Sequence, residues 1–297
     1  MNNFRRLIFP LLITLLFAPV KAQEIIEIYN KTNLNSKFDG TYTKNPGGLI
    51  TKVISPTLEM FLPSANDSLR PAVIICPGGG YSVIVYEGEG VSTAKKMAEN
   101  GIASFVLKYR LPDPSSKDHK NLPLQDAQQA IKIVRENASK WNINPDKIGI
   151  MGFSAGGHLA STLATHYHPL IDNPKNTSLR PDYQILVYPV ISMQDSLTHM
   201  GSRNQLLGEN PNSEDINNFS SEMMVDDNTP PAYITHATDD NVVDVDNSIF
   251  YFEQLRHHNV PVEMHIYQEG NHGFIFKHET WTAPLFEWME NSGFLTN

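Results

Sequence analysis

A serine flanked by glycines is the first place where this chain sets residues suited to covalent chemistry. Gly152-Phe153-Ser154-Ala155-Gly156 fits G-x-S-x-G, the sharp strand-to-helix turn that lifts a serine hydroxyl above a sheet. Small neighbours let the strand and the helix pass close together. The helix N-terminus behind the serine favours a developing negative charge. With Gly and Ser each near 7% of residues, an unrelated chain of this length shows the pentapeptide about one time in ten, so its setting decides. An apolar run, Ile148 to Gly152, precedes it, and a helical pattern, Gly156 to His166, follows, as the turn requires.

A serine hydroxyl needs a stabilised oxyanion and a base. Pro77-Gly78-Gly79-Gly80-Tyr81 directly follows the apolar run Ala72 to Cys76. Glycines there let backbone N–H groups approach a substrate oxygen. The stretch corresponds to an oxyanion loop usually written His-Gly-Gly-Gly, with Pro77 in place of the His. Backbone amides do the donating, so the role survives that exchange. The expected donors are Gly79, Gly80 or Tyr81, together with Ala155. A bare tight turn competes with this reading. A phosphate loop does not, because Gly-x-x-x-x-Gly-Lys is absent.

The chain has eleven histidines. His272, in Gly270-Asn271-His272-Gly273-Phe274, lies on a glycine-flanked loop after the last expected strand, in the order Ser, acid, His. His158 stands four residues after Ser154, on the helix that follows, where its ring points away. The acid that orients the base falls in His236-Ala237-Thr238-Asp239-Asp240-Asn241-Val242-Val243-Asp244. Asp239 and Asp240 both qualify by position. Calcium is excluded there, since the glycine and distal Glu of an EF-hand loop are missing.

The elements that must carry these groups alternate strand and helix, which argues for a mostly parallel sheet. Strands are expected at 58–62, 72–76, 103–107, 148–152, 183–188, 232–235 and 262–267. Helices are expected at 90–100, 124–141, 156–166, 248–257 and 281–291. Residues 23–48 read as polar and irregular. Residues 192–231, polar with Pro and Asn breaks, read as a small cap over the sheet edge.

Composition bounds the setting. Of 297 residues, 40% are apolar, with 14 Phe, 11 Tyr and 3 Trp, enough for a large core. Arg5 and Arg6, the apolar stretch Leu7 to Val20 and the small residue Ala22 read as an export signal cut after Ala22. The expectation is a signal peptide over 1–22 and one domain over 23–297, placed in the periplasm or outside the cell. The apolar run is short for a membrane anchor, and no membrane association is expected once the signal is gone. Loss of Arg5, Arg6 and Lys21 takes the net charge from −9 to −12. Such a surface repels phosphate backbones, so nucleic acid is not an expected partner. The single cysteine, Cys76, permits no intrachain disulfide and reads as a small buried hydrophobe.

The glycine loop Pro77 to Tyr81, Lys108-Tyr109-Arg110-Leu111-Pro112, Gly152 to His158, His236 to Val243 and Gly270 to Phe274 resemble bacterial α/β-hydrolase acetyl and feruloyl esterases, related to the acetylxylan-esterase and dienelactone-hydrolase-like groups. The resemblance covers nearly all of the chain beyond the signal. It implies an α/β-hydrolase fold, with a mostly parallel central sheet and helices on both faces, and a Ser-His-Asp triad. The family spacing of His, three residues, Asp, two residues, Val selects Asp240 over Asp239. One departure is Asp244, where such enzymes commonly carry Pro.

The implied activity is two-step acyl transfer on a small-molecule or oligosaccharide ester of a plant polysaccharide such as xylan, with no cofactor and no metal. Activity that needs a neutral imidazole falls as pH drops through about 6.5. Two rival readings are a serine exopeptidase of the prolyl-oligopeptidase type, which usually carries a propeller domain, and a non-catalytic binding protein on a hydrolase scaffold, which normally loses triad residues.

Overall fold

The computed structural model describes residues 22–29, 42–64, 68–113, 116 and 118–295. Its strands are β1 (Ala22–Glu27), β2 (Tyr42–Lys44), β3 (Ile50–Val53), β4 (Thr57–Phe61), β5 (Arg70–Cys76), β6 (Ala103–Lys108), β7 (Ile143–Phe153), β8 (Gln184–Val187), β9 (Ala232–Ala237) and β10 (Val262–Tyr267). Eight of them form one sheet in the order β1-β4-β6-β5-β7-β8-β9-β10, and β2 pairs with β3 separately. The strands from β6 to β10 run parallel, while β4 is antiparallel to β6 and β1 to β4. Every residue of β5, β6, β8 and β9 is buried. That is why these strands read as unbroken apolar runs and not as alternation.

The helices are α1 (Ser92–Glu99), α2 (Leu122–Glu136), α3 (Ala155–Thr165), α4 (Met200–Leu207), α5 (Ser213–Asn218), α6 (Asp246–His257) and α7 (Ala283–Asn291). Parallel crossovers are right-handed. The chain steps one way from β5 to β6 through α1, and the opposite way through α2, α3 and α6. Handedness therefore puts α1 on one face and the other three on the reverse, covering both sides of the sheet. No helix among the described residues is long and apolar enough to cross a membrane.

Two expectations need correction. Residues 23–48 are not wholly irregular. β1 adds an antiparallel edge to β4, with Ile28 buried and Ile25 61% exposed, and β2 pairs with β3. An edge strand is covered on fewer sides than a central one, so its apolar signal is weak. The helix expected over 124–141 is broken. α2 ends at Glu136, and Ala138–Trp141 is a separate 3₁₀ turn. At the break, the Asn137 side chain donates to the Ile133 carbonyl at 2.8 Å, a local bond that competes with continued helix. The expected export signal lies outside the described residues except for Ala22, which opens β1.

Segment 192–231 contains α4, α5 and a 3₁₀ turn at Ser221–Met223. It is fastened to the body of the protein. The Asn247 side chain accepts from the amides of Ile191 and Ser192 at 3.0 and 3.1 Å. The Ser161 hydroxyl, on α3, donates to the Ser221 hydroxyl at 2.9 Å.

Candidate active site

Parallel strands gather their carboxyl ends along one rim, where α/β sheets hold ligands. The glycine loop leaves β5 there, Ser154 leaves β7, Asp240 follows β9 and His272 follows β10.

Ser154 sits at φ 52°, ψ −121°, a conformation that costs a non-glycine residue of order 1–3 kcal/mol. The surroundings hold it. Its N–H donates to the Val187 carbonyl at 3.1 Å, and its carbonyl accepts from His158 and Val190. A Cβ on Gly152 would fall 2.0 Å from the Gly156 carbonyl oxygen, and one on Gly156 would fall 2.1 Å from that of Cys76. Both glycines of the pentapeptide are thus dictated by backbone contact.

The His272 ring bridges the serine and the acid. Nε2 lies 3.0 Å from Ser154 Oγ, and Nδ1 lies 2.7 Å from Asp240 Oδ2. The Asp240 side chain is fully buried. Burial alone would raise its carboxyl. Hydrogen bonds from His236, His272 and the Val243 amide outweigh that and hold it well below the usual carboxylate range. An ionised Asp240 accepts from Nδ1–H, which leaves Nε2 bare toward the serine hydroxyl, as a general base requires.

The two candidate acids divide the work. Asp240 takes the imidazole. Asp239 is exposed and accepts from the amides of Gly270 and Asn271 at 3.1 and 2.6 Å, bracing the loop that carries His272. Asp244 Oδ1 accepts from Asp246 N–H at 2.9 Å, so a side chain fixes the turn into α6 where the resembling enzymes carry Pro.

The glycine loop is aimed by its carbonyls. Gly78 O accepts from Val85 N–H at 3.0 Å, and Gly79 O accepts from Ser82 and Val83 N–H, both at 3.1 Å. In a trans peptide the N–H points opposite the C=O. Pinning these two carbonyls therefore directs the N–H groups of Gly79 and Gly80 to the other side. Tyr81 is fixed through its ring, whose hydroxyl meets His158 Nδ1 at 2.8 Å. Among the described residues, no acceptor is found for the Gly79, Gly80, Tyr81 or Ala155 amides.

The structure shows what several residues around these groups do, which the sequence did not. His236 is buried; its Nε2 donates to Asp240 Oδ2 and to the Val243 carbonyl, both at 3.1 Å, and its Nδ1 meets Ser248 Oγ at 2.8 Å. Its place four residues before Asp240 was visible, but not its role in holding that acid. His158 does not face the serine. Its ring is fully buried between Tyr81 and the Phe219 carbonyl, which Nε2 meets at 2.7 Å. Burial lowers it to about 4, so it is neutral. The ring of Tyr188 packs 4.7 Å from that of His272, and behind it lies the buried Glu89. Burial raises the Cys76 thiol, which fits an inert core residue.

A cleft of about 320 Å³ opens beside Asp240, lined by groups that include Asp195, Thr198, His199, Asn241 and Asp244. No group of three or more His, Cys, Asp or Glu side chains among the described residues is placed to hold a metal ion.

Residues 58–255 match the BD-FAE family. The chain is 38% identical over 240 residues to an acetylxylan esterase of Xylanibacter ruminicola, an alignment covering 78% of this chain and 47% of that protein. It is also 38% identical over 221 residues to endo-1,4-beta-xylanase B of Butyrivibrio fibrisolvens, covering 73% and 34% respectively. The chain thus spans less than half the length of these two curated relatives. An acetyl ester-xyloside bifunctional hydrolase from Caldicellulosiruptor lactoaceticus superposes with a TM-score of 0.80 at 36% identity, covering 93% of this chain and 99% of that one. The carboxylesterase Cest-2923 from Lactobacillus plantarum WCFS1, 22% identical, shares the fold at a TM-score of 0.68, covering 82% of this chain and 94% of that one.

Proposed function

Because this chain belongs to the BD-FAE family and has the α/β-hydrolase fold, we propose that it is an exported serine esterase that removes acyl groups, acetyl or feruloyl, from xylan or a similar plant polysaccharide. The observation that carries this reading is the unbroken line from Asp240 through His272 to Ser154, at 2.7 and 3.0 Å.

In the first step Ser154 Oγ attacks the ester carbonyl carbon while His272 Nε2 takes the hydroxyl proton. Asp240 stabilises the imidazolium that results. The carbonyl oxygen, now an anion, meets the amides of Gly79 and Gly80 on one side and Ala155 on the other. Each such donor is worth about 3 kcal/mol of barrier. The tetrahedral centre collapses, the bond to the alcohol oxygen breaks, and His272 returns the proton to that oxygen. Water then repeats the sequence on the acyl-serine and releases the acid.

The polysaccharide part of the reading draws support from the named relatives, one an acetylxylan esterase and one an acetyl ester-xyloside hydrolase. The cleft beside Asp240 adds to it, because its carboxylates, hydroxyl and amide suit sugar hydroxyls better than an apolar alcohol. The test is hydrolysis of p-nitrophenyl acetate and of acetylated and feruloylated xylo-oligosaccharides, with fluorophosphonate labelling of the wild type and Ser154→Ala. Loss of turnover and labelling in a folded Ser154→Ala protein is the expected result. Normal turnover in that variant overturns the assignment. Release from acetylated xylo-oligosaccharides no faster than from simple acetates overturns the polysaccharide reading. Recovery of the protein only inside the cell overturns export.

A further inference from the structure

Glu89 is 5% exposed and lies within the protein behind the candidate catalytic groups. Burying a carboxylate without a cation is expensive. Among the described residues, no lysine or arginine lies within ion-pair distance of it. Its bonds go elsewhere. Oε2 accepts from the Gly78 amide at 2.5 Å, and Oε1 accepts from the Tyr188 hydroxyl at 3.0 Å.

Those two partners lead to the two halves of the chemistry. The Gly78 amide belongs to the peptide that opens the glycine loop. Its other end, the Pro77 carbonyl, accepts from the Tyr109 hydroxyl at 2.7 Å. That peptide is therefore held at both ends, one step before the amides of Gly79 and Gly80. Gly78 also lies against the nucleophile, since a Cβ there would fall 2.9 Å from Ser154 Cβ and 3.0 Å from Glu89 Oε2. Tyr188, at a left-handed φ of 37°, turns its ring against His272.

We propose that Glu89 is a positioning residue for ester hydrolysis: one carboxylate oxygen fixes the peptide that sets the oxyanion donors, and the other fixes the tyrosine on which the catalytic imidazole rests. The proposal depends on the esterase reading. The titratable groups facing Glu89 are Tyr188, Tyr109 and His272. Burial raises its carboxyl to about 7, against the lowering effect of the Gly78 and Tyr188 bonds and of His272. Its charge therefore forms around neutral pH. Once ionised, it favours the imidazolium formed when Ser154 attacks. A residue needed only for folding would not be expected to be a carboxylate here, because a neutral group of the same shape avoids the desolvation.

The experiment uses the full chain and p-nitrophenyl acetate. Wild-type turnover that disappears in Ser154→Ala establishes the esterase reading. If the wild type is inactive, that reading fails, whatever Glu89 does. With wild-type turnover in hand, Glu89→Gln keeps the shape and an acceptor but removes the charge. We expect kcat to fall about tenfold with KM within about twofold, as small misplacements do. Melting at pH 8 should not fall, and the acidic limb of the kcat profile should lose the ionisation near 7. Tyr188→Phe, which cuts only the Oε1 tie, should lower kcat in the same direction by less. An unchanged kcat and pH profile in Glu89→Gln overturns the proposal. So does a kcat loss that comes with a matching loss of melting temperature, the mark of a purely structural group.

Discussion

Replacing Asp240 by Asn tests the acid's role most sharply, because the structure dictates how the amide must sit. The carboxylate accepts four hydrogen bonds. Oδ1 takes the Val242 and Val243 amides at 2.9 and 3.0 Å, and Oδ2 takes His236 and His272. Asn has one oxygen for four donors. Turning its NH₂ toward Oδ1 sets it against two backbone N–H groups that have nowhere else to go, at about 1–3 kcal/mol each. The NH₂ therefore faces the histidines. His272 Nδ1 must then accept, so its proton moves to Nε2, the atom that should receive the serine proton. Wrong-tautomer triads lose about 10⁴ in kcat, or roughly 5 kcal/mol of barrier. One charge-assisted bond is lost to folding, about 2 kcal/mol, which lowers Tm by roughly 5 °C in a chain of this size. Steady-state hydrolysis of p-nitrophenyl acetate with a parallel thermal melt reads both. A variant within tenfold of wild-type kcat would refute the tautomer argument.

Asp239→Asn should cost much less activity than Asp240→Asn, since Asp239 braces the backbone of the His272 loop and does not touch the ring; equal losses in steady-state assays would contradict that division. Gly78→Ala should lose nearly all turnover, because the new Cβ meets Ser154 Cβ and the Phe153 carbonyl; retained kcat would show that the loop yields. His158 and Glu89 make opposed contributions to the pH dependence of stability. His158 is lowered from 6.5 to about 4, so its stabilising effect is full above 6.5 and is lost as pH falls toward 4. Glu89 is raised from 4.5 to about 7, so its effect is full below 4.5 and is lost as pH rises through 7. Each swing is on the order of 3 kcal/mol, and their sum should be nearly flat between pH 4.5 and 6.5. In Glu89→Gln, urea titrations over that range should show stability dropping on acidification; no new slope would mean that one of the two shifts is wrong.

The central strands were legible because burial on both faces leaves nothing but apolar residues, as in Val73 to Cys76. Ser154 and the glycine loop were legible because steric demands at a tight turn leave few residue types, and His272 because it follows the last strand in the order Ser, acid, His. β1 was not, since half of an edge strand faces solvent and Glu24 and Glu27 look like loop residues. The choice between adjacent aspartates could not be made from the residues alone either. It depends on which carboxylate the turn after β9 buries, and the family spacing selected Asp240 where composition could not. Glu89 escaped notice because a lone Glu between two glycines reads as surface. Only the fold shows that it points inward.

The clasp formed by Tyr81, His158 and Phe219 bears on how freely the segment with α4 and α5 can move. The imidazole grips the glycine loop, through Tyr81, with one nitrogen and this segment, through the Phe219 carbonyl, with the other. Lifting that segment would strand only Nε2, because Tyr81 and His158 both belong to the body of the protein, at about 2 kcal/mol for the one bond. The bonds from Ile191 and Ser192 to Asn247 add to that hold. On the esterase reading, a bulky alcohol group would therefore meet a segment that is already held in place before it arrives.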